Sequence, residues 1–368
     1  MHIGLFTPML LSPTPGGAER ATHELALGLN GHGHQVTLLY TCKFDLSEQK
    51  PFYKPQLGIR YERLPLGQES RLFPEAVGLL KKLQMDVLCG FVWDYSGLLA
   101  EMFAKYAGIP FIYAERSAPD LVINRFWNAR DHAQCVREAS GIVLQMESYR
   151  KEYPPELQEK IAIIPNSIRP ASVIASPGDE GANPKIILAV GKMCESLKNF
   201  SALLCAFALL APRFPDWKLC LCGDGADMDI YKDMASKLGI RDVVLFRGNV
   251  QQIGAEYAAS HIFCIPSLSE GFPNVLGEAQ THGLPAVGFA ACTGVNELIV
   301  DGENGFLAPE TTEASLALSL MPLMKNAKLR QLMGAKALDN SAKFNGARVY
   351  ELWEALFQRY IHFHATSK

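Results

Sequence analysis

The residues best placed to do chemistry lie in one stretch, Pro266-Ser-Leu-Ser-Glu-Gly-Phe-Pro-Asn-Val-Leu-Gly-Glu-Ala-Gln-Thr-His-Gly-Leu-Pro285. A strand reads to near Ser267, and a loop follows through Glu270 and Gly271. Pro273 suits the first position of a helix, where its missing N–H is not needed. Gly283 and Pro285 suit the end. One carboxylate, Glu270, thus sits in a loop just before a helix N-terminus, and a second, Glu278, lies a turn inside the helix. The first amide groups of that helix point at the space between them. The set offers acceptors for sugar and ribose hydroxyls and donors for a phosphate.

Two other stretches could hold an anion. Gly191-Lys-Met-Cys-Glu-Ser-Leu-Lys-Asn-Phe200 follows a strand, and a curled loop would let Lys192 and Lys198 converge on a diphosphate. Pro15-Gly16-Gly17-Ala18-Glu19-Arg20 follows the first strand and precedes a helical pattern carrying Leu25, Leu27 and Leu29. Paired glycines allow close backbone approach, and the positive helix end suits a phosphate. Glu19 and Arg20 stand where a G-x-G-x-x-G needs otherwise, which counts against a nicotinamide dehydrogenase. Solvated lysines and a plain tight turn are the bland readings of these two motifs.

The elements that must position these residues alternate along the whole chain. Continuous apolar runs at 2–8, 36–41, 87–93, 111–115, 141–145 and 161–165 read as parallel strands covered on both faces. A second series falls at 185–191, 218–223, 243–248, 262–267 and 286–289. Helical patterns lie between, so right-handed βαβ units are expected. Residues 170–184 are rich in Pro, Gly and Ser and read as a linker. The 368 residues therefore divide into two Rossmann-like α/β domains facing an interdomain cleft, 1–169 and 185–347. A C-terminal helix, 348–368, carries an apolar stripe of Val349, Leu352, Trp353, Leu356, Phe357, Tyr360 and Ile361.

Bulk properties exclude other classes. Net charge is −3, which leaves no footprint for nucleic acid. No apolar run reaches the ~18 residues needed to span a bilayer, and Met1-His-Ile-Gly-Leu-Phe6 reads as a strand rather than a signal peptide. Nine scattered cysteines contain no C-x-x-C pair; Cys89, Cys220, Cys222 and Cys264 read as small buried hydrophobes in a reducing, cytoplasmic setting. Asp227-Met-Asp229 spells D-x-D but opens a helix, where acidic residues are favoured anyway. The histidines lack ligand spacing, so no metal site is expected.

Glu270 and Glu278 form an E-x7-E pair, and with the Gly-Gly turn and the lysine loop the chain resembles the family 4 retaining glycosyltransferases over nearly its whole length. The resemblance implies a GT-B fold, a nucleotide-diphosphate sugar donor with uridine preferred, no cofactor or essential metal, and a last helix crossing back onto domain one. It also implies roles. Glu278 would hold the donor ribose. Glu270 and the backbone of Gly271, Phe272 and Asn274 would hold the sugar. The N–H groups of Val275 and Leu276 would face the phosphates. Lys192 and Lys198 would neutralise the diphosphate, which Gly16 and Gly17 would approach from domain one. Asn249 and Val250, in Arg247-Gly-Asn-Val250, match the base-binding loop. Lys192 stands where the family usually has arginine, keeping charge but losing the bidentate fork. Arg116, in Tyr113-Ala-Glu-Arg-Ser117, stands where many members carry a histidine, and with Glu115 is the candidate for that place beside the reaction centre.

Relatives in this family build polysaccharide, lipopolysaccharide or glycolipid, so a glycan or lipid-linked acceptor is expected on domain one. The cations and aromatics of Asn124–Arg130 offer either a peripheral membrane contact or an ordinary buried helix face. A protein that binds the nucleotide sugar without transferring it stands as the alternative function.

Overall fold

The computed structural model describes residues 1–8, 17–41, 56–65, 72–92, 95–118 and 129–366. Gly16 and the stretch 124–128 lie outside the described residues. Two compact units emerge, one formed by Met1–Ser167 with Gly346–Lys368, the other by Ile168–Asn345.

Unit one is built on a seven-stranded parallel sheet ordered β3-β2-β1-β4-β5-β6-β7. The strands are β1 (His2–Phe6), β2 (Gln35–Tyr40), β3 (Ile59–Arg63), β4 (Val87–Val92), β5 (Phe111–Glu115), β6 (Gly141–Leu144) and β7 (Ile161–Ile163). Its core runs through Ile3, Leu5, Val36, Leu38, Cys89, Ile112 and Val143, and includes Val349, Trp353, Leu356, Phe357 and Tyr360 of the helix Gly346–Thr366. Two glycines admit that helix. A Cβ on Gly28 would lie 2.2 Å from the Tyr350 ring, and one on Gly141 would lie 2.4 Å from the Tyr360 ring. Glu354 fixes its outer face by accepting from His32 and His34 at 2.9 and 3.0 Å. Leu352, assigned to the apolar stripe, is instead 40% exposed.

Unit two holds a six-stranded parallel sheet ordered β10-β9-β8-β11-β12-β13. The strands are β8 (Lys185–Val190), β9 (Trp217–Cys222), β10 (Val244–Gly248), β11 (Ile262–Ile265), β12 (Ala286–Phe289) and β13 (Gly305–Ala308). Strand order reverses between β8 and β11, which pair through Ile187↔Ile262 and Leu188↔Phe263. At such a reversal the loops leaving the two strands turn to opposite faces and open a crevice at their carboxyl ends.

Residues 170–184 do not span a gap. The Ala175 N–H donates to the His282 carbonyl at 2.8 Å, and the Pro177 carbonyl accepts from the buried Arg330 guanidinium at 2.5 Å. Ile168 pairs with Asn345 in a parallel bridge, so the chain passes between units at 167/168 and again at 345/346.

His261 braces the reversal. Its N–H donates to the Ile186 carbonyl at 2.9 Å, and its ring Nδ1 accepts the Ile186 N–H at 3.2 Å. Burial pushes its pKa down from 6.5 to about 4. Between those values the unfolded chain binds the proton and the folded chain does not. The neutral ring's contribution is therefore complete above about pH 6.5 and is lost as pH falls toward 4. His261→Asn removes that titration. The fall in denaturation midpoint between pH 6.5 and 4 should be smaller in the variant; an identical fall would contradict the assignment.

Candidate active site

The loops at the unit-two reversal carry the site. β8 ends at Val190, and the Gly191 N–H donates to the Cys222 carbonyl at 3.0 Å. Gly223 has φ +137, and a Cβ there would meet the Gly191 carbonyl oxygen at 1.8 Å. That close approach turns the lysine loop. Met193 N–H donates to the Asp224 carbonyl, and Glu195 N–H donates to the Asp227 carboxylate at 2.8 Å. The first carboxylate of the D-x-D is thus a brace, and the second, Asp229, pairs with Lys232. Glu195 in turn accepts from the Tyr231 hydroxyl at 2.8 Å and from the Ser201 hydroxyl. Asn199, at φ +50, redirects the chain from the turn Glu195–Lys198 into the helix Phe200–Leu210.

The second loop comes from β11. Leu268 N–H donates to the Leu197 carbonyl at 2.9 Å, joining the two loops through their backbones. Lys198 Nζ then donates to Glu270 Oε1 at 2.5 Å, with the side chains 22% and 10% exposed. Removing either partner would leave a poorly hydrated charge behind. Lys192 is exposed.

The helix following this loop is Asn274–Thr281, with Pro273 as its N-cap rather than its first residue. The Leu276 N–H donates to the Pro273 carbonyl at 2.9 Å and the Asn274 N–H to the Phe272 carbonyl. Leu276 N–H is therefore already engaged, and any phosphate facing it would share the bond. Glu278, 9% exposed, accepts from the Tyr257 hydroxyl at 3.0 Å. Tyr257 also lies 3.2 Å from the Val275 carbonyl, and stacks on His282 at 4.9 Å between ring centroids. His282 Nδ1 donates to the Glu278 carbonyl at 2.8 Å. The hydroxyl has one proton and two acceptors in reach, and the charged Glu278 carboxylate, at 3.0 Å against 3.2 Å for the Val275 carbonyl, takes it.

Asn249 and Val250 follow β10. Gly248, at φ +64, accepts the Gly223 N–H at 2.7 Å, so the segment 247–250 is anchored to the turn that shapes the lysine loop. Gly17 opens the helix Gly17–Gly31 in unit one. Arg116 lies in unit one with its guanidinium 4.3 Å over Phe91 and 5.6 Å over Trp353, donating to Asn166 at 2.8 Å. Burial pushes its pKa down to about 10. Glu115 accepts from Tyr113 and from the amides of Arg116 and Ser117. Both side chains are thus tied to their own unit's interior.

Sequence reasoning did not single out Glu195, Asp227, Tyr231 or Tyr257 as supports. Each acts across 21 to 36 positions, and no local spacing marks it.

Two parallel sheets of this order, with a lysine loop and a glutamate loop at the unit-two reversal, fit the GT-B fold. Residues 15–172 match a family model described as Glycosyltransferase Family 4, and residues 175–339 match one described as Glycosyl transferases group 1. The chain belongs to the family 4-type glycosyltransferases. An uncharacterised glycosyltransferase of Haemophilus influenzae is 28% identical over 93% of this chain and 96% of its own. D-inositol 3-phosphate glycosyltransferase of Corynebacterium aurimucosum is 33% identical over 44% of this chain, a match spanning only 40% of that protein. Among solved structures, Anabaena HepE with UDP aligns at TM-score 0.78 and 18% identity, covering 98% of this chain and 100% of that one. The apo lipopolysaccharide outer core galactosyltransferase WaaB aligns at 0.75 and 17%, covering 98% and 99%.

Tyr257→Phe removes the hydroxyl bonded to a buried carboxylate. A loss of about 1.5–3 kcal/mol in unfolding free energy is expected, read from denaturant titration. Unchanged stability would mean that the hydroxyl does not hold Glu278.

Proposed function

We propose that the protein moves a hexose from a UDP-sugar to a glycan or lipid-linked acceptor with retention at the anomeric carbon. The observation that carries this reading is the Lys198–Glu270 pair at the unit-two reversal, with Glu278 in the helix that follows. A diphosphate brought to Lys198 competes for its ammonium. Glu270 is then released to accept from sugar hydroxyls. Glu278, already oriented by Tyr257, accepts from the ribose. The backbone of Gly271, Phe272, Asn274 and Val275, and the Asn249-Val250 loop, take the sugar, phosphates and base as the family resemblance implies. HepE, also solved with UDP-glucose, supports a UDP-sugar donor.

In the proposed step the bond from the anomeric carbon to the diphosphate oxygen breaks, and its electron pair stays on the phosphate. The acceptor oxygen attacks from the same face, and its proton passes to that phosphate oxygen. Lys192 and Lys198 stabilise the growing negative charge from fixed positions. No metal is required in this scheme. Arg116 carries no step in it. That packed arginine, in place of the family's histidine, is the observation favouring the alternative of a binding protein without turnover.

Among the described residues no helix is long and apolar enough to cross a membrane. The eight described cysteines are free thiols, which supports the proposed cytoplasmic location. The test is donor turnover by the purified protein over a panel of nucleotide sugars. Transfer or slow donor hydrolysis should persist in excess EDTA. Lys198→Ala should lower turnover by about 10²–10³, the loss typical of one preorganised charge contact. Binding without turnover for every donor would favour the alternative, and activity lost in EDTA but restored by magnesium would overturn the metal-free scheme.

A further inference from the structure

Cys220 and Cys222 occupy alternate positions of β9, so their side chains share one face of the sheet. Their sulfurs stand 3.8 Å apart, and the Cys220 thiol lies 3.7 Å from Glu256 Oε2 on the helix Ile253–Ala258. The three ligand atoms all fall within 4.8 Å of one another, the sole such group among the described residues. Two sulfurs bound to one tetrahedral zinc at about 2.3 Å stand about 3.8 Å apart, and a sulfur and a carboxylate oxygen about 3.5 Å apart. The observed spacings match both. β10 pairs Gly248 with Cys222, and glycine brings no side chain to crowd that position.

We propose that Cys220, Cys222 and Glu256 form a binding site for a thiophilic divalent cation of the zinc class, with a fourth position open to water. Both cysteines are 1% exposed, whereas Glu256 is partly exposed and provides the route in. Two thiolates and a carboxylate carry one negative charge more than a divalent ion cancels. Arg247, whose Nε lies 3.5 Å from Glu256 Oε1, supplies the balancing charge. A bound ion would tie β9 to the helix Ile253–Ala258, on the side of the sheet where β10 runs into Asn249 and Val250. Its occupancy is separate from the transfer chemistry, because none of the three ligands is assigned to donor or acceptor. A search for C-x-x-C spacing passes over this pair, because a strand brings i and i+2 together where a turn brings i and i+3.

The test is titration of the reduced, metal-free full-length protein with cobalt(II). Tetrahedral thiolate coordination gives strong visible absorption and an ultraviolet sulfur-to-metal band. We expect saturation at one equivalent per chain, bleaching by zinc, and a zinc-dependent rise in thermal midpoint. Cys220→Ser with Cys222→Ser should abolish the bands. Glu256→Gln, which leaves the strand intact, should weaken zinc by at least the roughly 10–100-fold typical of losing a supporting group at a metal site. Cys264→Ala should leave binding unchanged. Absence of a saturable tetrahedral spectrum in the unaltered protein overturns the proposal whatever the variants do. So does a spectrum that survives the double substitution.

Discussion

An ammonium and a carboxylate brought together at the reversal of one parallel sheet organise the unit-two site. β8 and β11 lie side by side, yet the connections beyond them leave toward opposite faces, so their loops line one crevice. Lys198 comes from the first loop and Glu270 from the second, and the Leu268–Leu197 backbone bond sets their separation. The supports around them follow from that demand. Glu195 and Asp227 hold the lysine loop in a curl that an unbraced chain of this length would not keep, and Gly223 is needed where backbone meets backbone.

The two glutamates differ in what holds them. Glu270 is balanced by a cation, so a competing anion can free it. Glu278 is oriented by a neutral hydroxyl on a tyrosine that is itself packed against His282. In the proposed reaction this separates the carboxylate serving the changing sugar from the one serving the unchanging ribose. Lys192, exposed on the same loop, is the cation available to a ligand without breaking an ion pair.

Much of this was legible in the sequence because its signals are local. Apolar runs such as Val87–Val92 and Ile262–Ile265 belong to strands buried on both faces, and E-x7-E survives as a loop carboxylate and a helix carboxylate. β3 and β13 were not read. Ile59–Arg63 is an edge strand of the unit-one sheet carrying Arg60, Glu62 and Arg63, and Gly305–Ala308 is a four-residue edge strand of the unit-two sheet. The segment 170–184 looked like a linker from composition, but its order comes from Arg330, about 150 positions away. Tyr257, Tyr231 and the Cys220–Glu256 contact were hidden for the same reason: each partner is chosen by strand order and helix docking, not by spacing.

The most direct measurement is calorimetric titration of UDP into Glu270→Ala and Glu278→Ala, with donor turnover recorded on the same preparations. Glu278→Ala should weaken UDP by about 1.5–3 kcal/mol, roughly 10–150-fold, because its bonds to the ribose are made equally in ground and transition states. Glu270→Ala should bind UDP nearly as well as the unaltered protein while losing most of its turnover. If Glu270→Ala abolishes UDP binding and Glu278→Ala leaves it intact, the donor lies the other way round and the account of the site is wrong.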